Sequence, residues 1–279
     1  MSLTEGEIID AEGGRPRSWN VDISEKCTLW LRLTASGRAG HGSMPFDQGN
    51  AVNALVRALG RVLPHETPTR VLPQAQRYFA ALKDRFPGLE PARLARLEES
   101  LRDRAFRAAF LAEPERAALV RNTISITVLK GGPQTNVIPG TASAELDCRL
   151  LPGEDPQRFM EEIRAVVADS TIRVEPIGDI VPATASSTDT DLFRAIEKAA
   201  ARFDPGVPVA PTILTSWTES SLLRPLGIQA YGFEPYALPR AENRRSHGDD
   251  ERISTENIRR GAEILYAIVR EVVERKGTK

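Results

Sequence analysis

Imidazole is the side chain best suited to holding a metal or moving a proton near neutral pH, and this sequence has three, His41, His65 and His247. His41 lies in GRAGHGSMP, where glycines on both sides clear space around the ring. Such a turn either presents an imidazole to a ligand or simply reverses the chain. His247 lies in RRSHGDDERI, with Asp249, Asp250 and Glu251 close behind. Those carboxylates suit metal ligation or support of a ligating histidine, and suit equally a solvated acidic run ahead of a helix. His65, in LPHETP, reads as a solvated loop residue with no role. Glu12, in IIDAEGG, follows an apolar dipeptide and precedes paired glycines, which fits a strand-end metal ligand and an ordinary surface turn alike. Cys27 and Cys148 are the only cysteines, each within an alternating segment that buries a small hydrophobe. A disulfide framework and a thiolate zinc site are therefore not expected, and any metal would need carboxylate and imidazole.

The elements that position these residues can be read from apolar spacing. TLWLRLTAS (28–36) alternates, with Leu29, Leu31 and Leu33 on one side, and reads as a half-buried strand. AVNALVRALGRVL follows, with Val52, Leu55, Val56, Leu59 and Leu63 at helical spacing. Between Glu90 and Val120 a stretch rich in Ala, Leu, Arg and Glu reads as an inserted helical pair, interrupted at Pro114. Two strand patterns, TISITVLKG and TASAELDCRLL, flank a Gly/Pro loop. The helix QRFMEEIRAVVA and a short strand, TIRVEPI, complete the series. Strand, helix, strand, strand, helix, strand is the ferredoxin-like (βαββαβ) order, so residues 26–180 are expected to form one domain, with a helical insertion near 65–120. Residues 181–279 alternate helix and strand in the α/β manner but offer only two clear strands. With residues 1–25 they form an incomplete α/β domain.

Composition narrows the function classes. Apolar residues make up 41% and charged residues 27%, which is enough to bury a core and argues against disorder. Thirty-seven basic against 38 acidic residues give a net charge of -1, so no overall field draws the chain to nucleic acid or anionic lipid. No apolar run reaches the ~18 residues of a membrane span, and no leader pattern precedes Gly14. A cytoplasmic protein is the expectation.

Taken together and in order, AEGG, LWLRLTASGRAGHGSMP, NVIPGTASAELDCRLLPG and SHGDDERI resemble the zinc metallopeptidase family of aminoacylase, carboxypeptidase G, acetylornithine deacetylase and succinyl-diaminopimelate desuccinylase. The resemblance implies a catalytic α/β domain of zinc-peptidase type holding two zinc ions. A ferredoxin-like dimerisation (lid) domain is inserted into it. By that resemblance Glu12 and His247 match zinc ligands. His41 matches a histidine that reaches into the partner protomer's site to stabilise the oxyanion. Asn136 and Arg149 match positions that grip the substrate's carboxylate, a task suited to the arginine fork. Thr218, in Thr218-Glu219-Ser220, falls where relatives carry Thr-Asp-Ser near the substrate.

Members of that family begin with half a catalytic domain that supplies the remaining zinc ligands and the general base, and nothing before Glu12 matches it. The expectation is a homodimer whose longer form hydrolyses an N-acyl amino acid or small peptide, with this chain binding zinc weakly and inactive alone. Two other readings stand beside it: a non-catalytic dimerising or ligand-binding protein, and a subunit completed by a separately encoded half.

Overall fold

In a computed structural model that describes residues 1–276, the strands are β1 (Ser2–Glu12), β2 (Arg15–Glu25), β3 (Cys27–Ser36), β4 (Gly40–His41), β5 (Thr123–Lys130), β6 (Val137–Ile138), β7 (Thr141–Leu150), β8 (Ile172–Pro176), β9 (Val209–Leu214) and β10 (Ala230–Leu238). The helices are α1 (Ala51–Val62), α2 (Pro73–Ala81), α3 (Pro91–Leu94), α4 (Leu97–Ser100), α5 (Arg104–Leu111), α6 (Pro114–Ala118), α7 (Pro156–Val167), α8 (Asp191–Phe203), α9 (Ser220–Leu223), α10 (Arg240–Asn243) and α11 (Thr255–Lys276). They gather into two compact units. One contains residues 26–69 and 121–183, the other residues 1–25, 70–120 and 184 onward.

The 26–69/121–183 unit has the expected order β3, α1, β5, β7, α7, β8, and its antiparallel sheet runs β5-β7-β3-β8. The period of two in β3 sends Leu29, Leu31 and Leu33 inward, each fully buried, while Trp30 is 46% exposed. Full burial of each leucine contributes about 1.5–3 kcal/mol. Their partners are Ala144, Leu146 and Cys148 of β7 and the inner faces of α1 and α7, including Leu55, Ala58, Phe159 and Ile163. Both helices start where the sequence places a cap. The Asn50 side chain accepts the Val52 and Asn53 N–H groups, and Asp155 accepts that of Gln157 ahead of Pro156. Beyond the sheet, Gly40 and His41 pair with Ile138 and Val137 in a two-stranded ribbon.

In the other unit the sheet runs β1-β10-β2-β9. Four strands are present where the sequence reading found two, because residues 1–25 form a hairpin. Gly13 and Gly14, with φ of 57° and 76°, make its turn, a conformation that costs glycine no clash. Along β2 the apolar Trp19, Val21 and Ile23 alternate with Ser18, Asn20, Asp22 and Ser24, and both faces are buried. The apolar face packs on α8 and α11 through Phe193, Ile196, Ile264 and Ile268.

Residues 70–120 depart from expectation. The sequence reading set this insertion in the 26–180 domain; in the structure it clusters with the β1-β10-β2-β9 unit. Its α2 packs along β9, and Gln74, itself buried, donates to the Ser24 hydroxyl at 3.4 Å. It also has a core of its own, built on Phe79, Phe106, Phe110, Leu94, Leu97 and Leu101. Instead of a helical pair it is a series of short helices. Pro73, Pro91 and Pro114 each open one, at the position where the missing N–H costs nothing. Pro114 thus starts α6 and does not merely break α5.

Candidate active site

His41 and Asn136 are brought together. The Gly42 N–H donates to the Asn136 carbonyl at 2.7 Å, and His41 faces Val137 across the ribbon. The turn is crowded: a Cβ on Gly40 would lie 2.7 Å from the Phe46 ring, so that the ring would have to shift, and one on Gly42 would press on the Asn136 backbone at 3.1 Å. The Arg38 guanidinium stacks 4.4 Å from the centre of the Phe46 ring and holds the far side of the turn. His41 is exposed, with Nδ1 2.7 Å from the Ser43 hydroxyl and 3.1 Å from its backbone nitrogen.

Arg149 lies elsewhere in the same unit. In the β3–β7 ladder Ser36 faces Thr141, at the His41 end, and Thr28 faces Arg149. Eight residue steps separate the two pairs, about 27 Å of strand. That exceeds what a histidine and an arginine side chain can span together, so one protomer cannot place both in one site. The guanidinium of Arg149 donates through Nε and Nη2 to Asp147, at 2.6 and 3.0 Å, and through Nη1 to the Thr28 hydroxyl at 2.7 Å. Two of its five N–H groups remain for a ligand. Next to it is Lys26, 1% exposed, whose Nζ donates to the Arg121 carbonyl at 2.9 Å and to Thr123 at 3.3 Å. Burial, with Arg149 and Arg121 nearby, pulls this amine down to about 7.

Glu12, Thr218 and His247 belong to the other unit. Glu12, 78% exposed at the tip of the β1–β2 hairpin, pairs with Arg17 at 3.2 Å. His247 is exposed on a left-handed turn (φ 65°), and its backbone N–H donates to Glu251 at 3.0 Å. Asp250 pairs with Arg245. A tight zinc site takes several converging ligands, and no group of three or more His, Cys, Asp or Glu among the described residues is so arranged. The residues present therefore do not by themselves fit a resident zinc. Thr218 is 3% exposed, and its hydroxyl and N–H both donate to Glu25, at 2.6 and 2.9 Å. It anchors the loop before α9 and presents no hydroxyl to a substrate, contrary to its match in the sequence. His65 is bound to Glu162 at 2.7 Å, more buried than a solvated loop residue.

Sequence reasoning missed the acids Glu7 of β1 and Asp22 and Glu25 of β2. Glu25 receives Thr218, Ser221 and Arg224. Asp22 accepts the Glu7 N–H at 2.8 Å, and burial, then the neighbouring Glu7, pushes its carboxyl well above the usual range. Glu7 is raised by burial too. A Cβ on Gly6 would sit 2.6 Å from the Asp22 carboxylate. For Asp22 the signal was present in SWNVDISEK, where every second residue from Ser18 is polar in a segment otherwise fit for a core.

A family model for the peptidase dimerisation domain (M20_dimer) matches residues 23–175, more than half the chain. The chain belongs to the M20 peptidase family. Members of that family hydrolyse peptide and related amide bonds. Among M20 relatives, the probable carboxypeptidase S-like 2 of Dictyostelium discoideum is 27% identical over 90% of this chain and 48% of its own length. The N-fatty-acyl-amino acid synthase/hydrolase PM20D1 of Xenopus tropicalis is 28% identical over 85% and 46%. Aminoacylase-1A of Rattus norvegicus is 24% identical over 96% and 57%. The chain thus spans about half the length of the curated relatives it matches. The M20 fold is also seen in a metallo-carboxypeptidase from Sulfolobus solfataricus, with TM-score 0.57, 14% identity, and coverage of 93% of this chain and 65% of that one. No helix of the described residues is long and apolar enough to cross a membrane.

Proposed function

We propose that this chain is the dimerising, substrate-gripping part of a zinc-dependent M20 hydrolase acting on the amide bond of an N-acyl amino acid or small peptide, and that it is inactive alone. The observation that carries this is the placement of His41 and Asn136 at one end of the β3–β7 ladder and of Arg149 at the other. β5 is a sheet edge, and Leu129 on it is 63% exposed. Val56 on α1 is 57% exposed, and Val52 lies 3.8 Å from where a Gly131 Cβ would be, so α1 flanks the end of that edge. Edge-to-edge pairing of β5 with a second copy about a twofold axis extends the sheet and covers this apolar strip. The two edges then run antiparallel. The His41 end of each copy comes alongside the Arg149 end of its partner.

In such a pair one carboxylate-terminated substrate meets Arg149 from one protomer and His41 with Asn136 from the other. The outward N–H groups of Arg149 receive the carboxylate. His41 donates to the carbonyl oxygen as it gains charge. Zinc and the general base require ligands beyond those described here, with Glu12 and His247 contributing one each in the longer enzyme. A non-catalytic dimerising protein is the second reading, favoured by the Arg17 partner of Glu12.

Mixing two inactive variants tests the first reading. In the full-length enzyme, His41→Ala and Arg149→Ala homodimers should each lose most turnover. Dimers reassembled from an equal mixture should recover up to about a quarter of wild-type turnover, since about half of them are mixed and each mixed dimer keeps one of its two sites with both residues intact. No recovery on mixing would refute shared sites.

A further inference from the structure

Ser43 stands beside the His41 ring and no function above uses it. We propose that Ser43 is a positioning residue that fixes His41 as an Nε2–H hydrogen-bond donor, so that the ring addresses an anionic oxygen, a carboxylate or an oxyanion, and not a metal ion. The inference deepens the reading of His41 given above and rests on it for its catalytic meaning.

The backbone N–H of Ser43 can only donate. It lies 3.1 Å from Nδ1 of His41, so that nitrogen must offer its lone pair. A proton on Nδ1 would face the Ser43 N–H head-on. The Ser43 hydroxyl, 2.7 Å from the same nitrogen, can act either way, but facing a lone pair it donates as well. Neutral imidazole with an accepting Nδ1 carries its proton on Nε2. Nε2 has no partner among the described residues, and the side chain is exposed. What the ring offers outward is therefore an N–H, the wrong polarity for ligating a cation and the right one for an oxygen bearing negative charge.

The backbone around the ring is held from several sides, so the contact with Ser43 is not a passing one. The Met44 N–H donates to the His41 carbonyl at 3.0 Å, which closes the turn that brings Ser43 back over Nδ1. Gly42 is tied to Asn136 at 2.7 Å, and Gly40 is packed against the Phe46 ring. A ring that merely filled a turn would need no second donor on one nitrogen. Here both donors of one residue converge there and leave the opposite edge open.

The test is long-range 15N–1H spectroscopy of the imidazoles in this chain at about pH 8, above the ordinary histidine range, with His41 assigned by the signals lost in His41→Gln. The wild-type ring should carry its proton on Nε2. Ser43→Ala should lower the ratio of Nε2–H to Nδ1–H by about fivefold, the worth of one hydrogen bond, and Ser43→Thr should restore it. Added zinc chloride should leave the His41 Nε2 signal unmoved. A wild-type proton on Nδ1, an unchanged ratio in Ser43→Ala, or loss of the Nε2 proton to zinc would each overturn the proposal. Because the spectrum reads the ring without turnover, failure of the subunit-mixing experiment would sink the shared-site reading and leave the Ser43 assignment standing.

Discussion

Lys26 places an amine where water barely reaches, and its cost can be read from pH. Burial is the main cause of its low value of about 7, Arg149 and Arg121 add to it, and Asp147 opposes them. Between about pH 7 and the unfolded value of 10.5 the unfolded chain binds the extra proton. Stability of the 26–69/121–183 unit should therefore rise with pH through that window, with the penalty fully present below it. Lys26→Met should flatten the rise, as read by denaturant unfolding at several pH values; a wild-type slope in the variant would contradict the assignment. Arg149→Ala removes a part-buried ion pair with Asp147 and a hydrogen bond to Thr28, and should lower unfolding free energy by about 1–3 kcal/mol, while leaving the dimer intact. A monomeric or unfolded variant would give Arg149 a structural role in place of a binding one.

At the scale of elements, the β5-β7-β3-β8 sheet and its two helices, residues 26–69 and 121–183, were legible because their signals agree: Leu29, Leu31 and Leu33 alternate, Asp155 and Pro156 open a helix, and the order of elements allows one sheet. The β1–β2 hairpin was less so, since β2 buries Ser18, Asn20 and Asp22 on the face where a strand usually shows polar residues to water. The insertion misled for a different reason. Its composition is helical, yet which unit it joins depends on the contact of α2 with β9, a long-range fact that no local pattern encodes. Of the site residues, the glycines around His41 were informative because the turn is crowded at Gly40 and Gly42. Thr218 was not, since only the fold reveals Glu25 taking its hydroxyl. Phe79 is fully buried and contacts Phe110 and Phe86. Phe79→Ala should cost about 3–5 kcal/mol and raise hydrogen exchange across residues 70–120 before the β3–β7 ladder. Uniform loss of protection in both units would argue against an insertion with its own core.

For the whole molecule, the exposed strip of Leu129 and Val56 beside an open strand edge predicts that Leu129→Asp with Val56→Asp converts a dimer to a monomer in sedimentation, with each unit still folded. An unchanged dimer would move the interface elsewhere. As proposed above, the chain would carry the gripping and dimerising residues of an M20 hydrolase, while no group of three or more metal-ligating side chains gathers among the described residues. Elemental zinc per chain after dialysis, measured with hydrolysis of an N-acyl amino acid in the same sample, tests that claim most directly. Zinc should lie far below one per chain, with no turnover above the uncatalysed rate. Two zinc ions per chain with steady hydrolysis would contradict it and require that residues described here, or a second copy of them, complete the metal site.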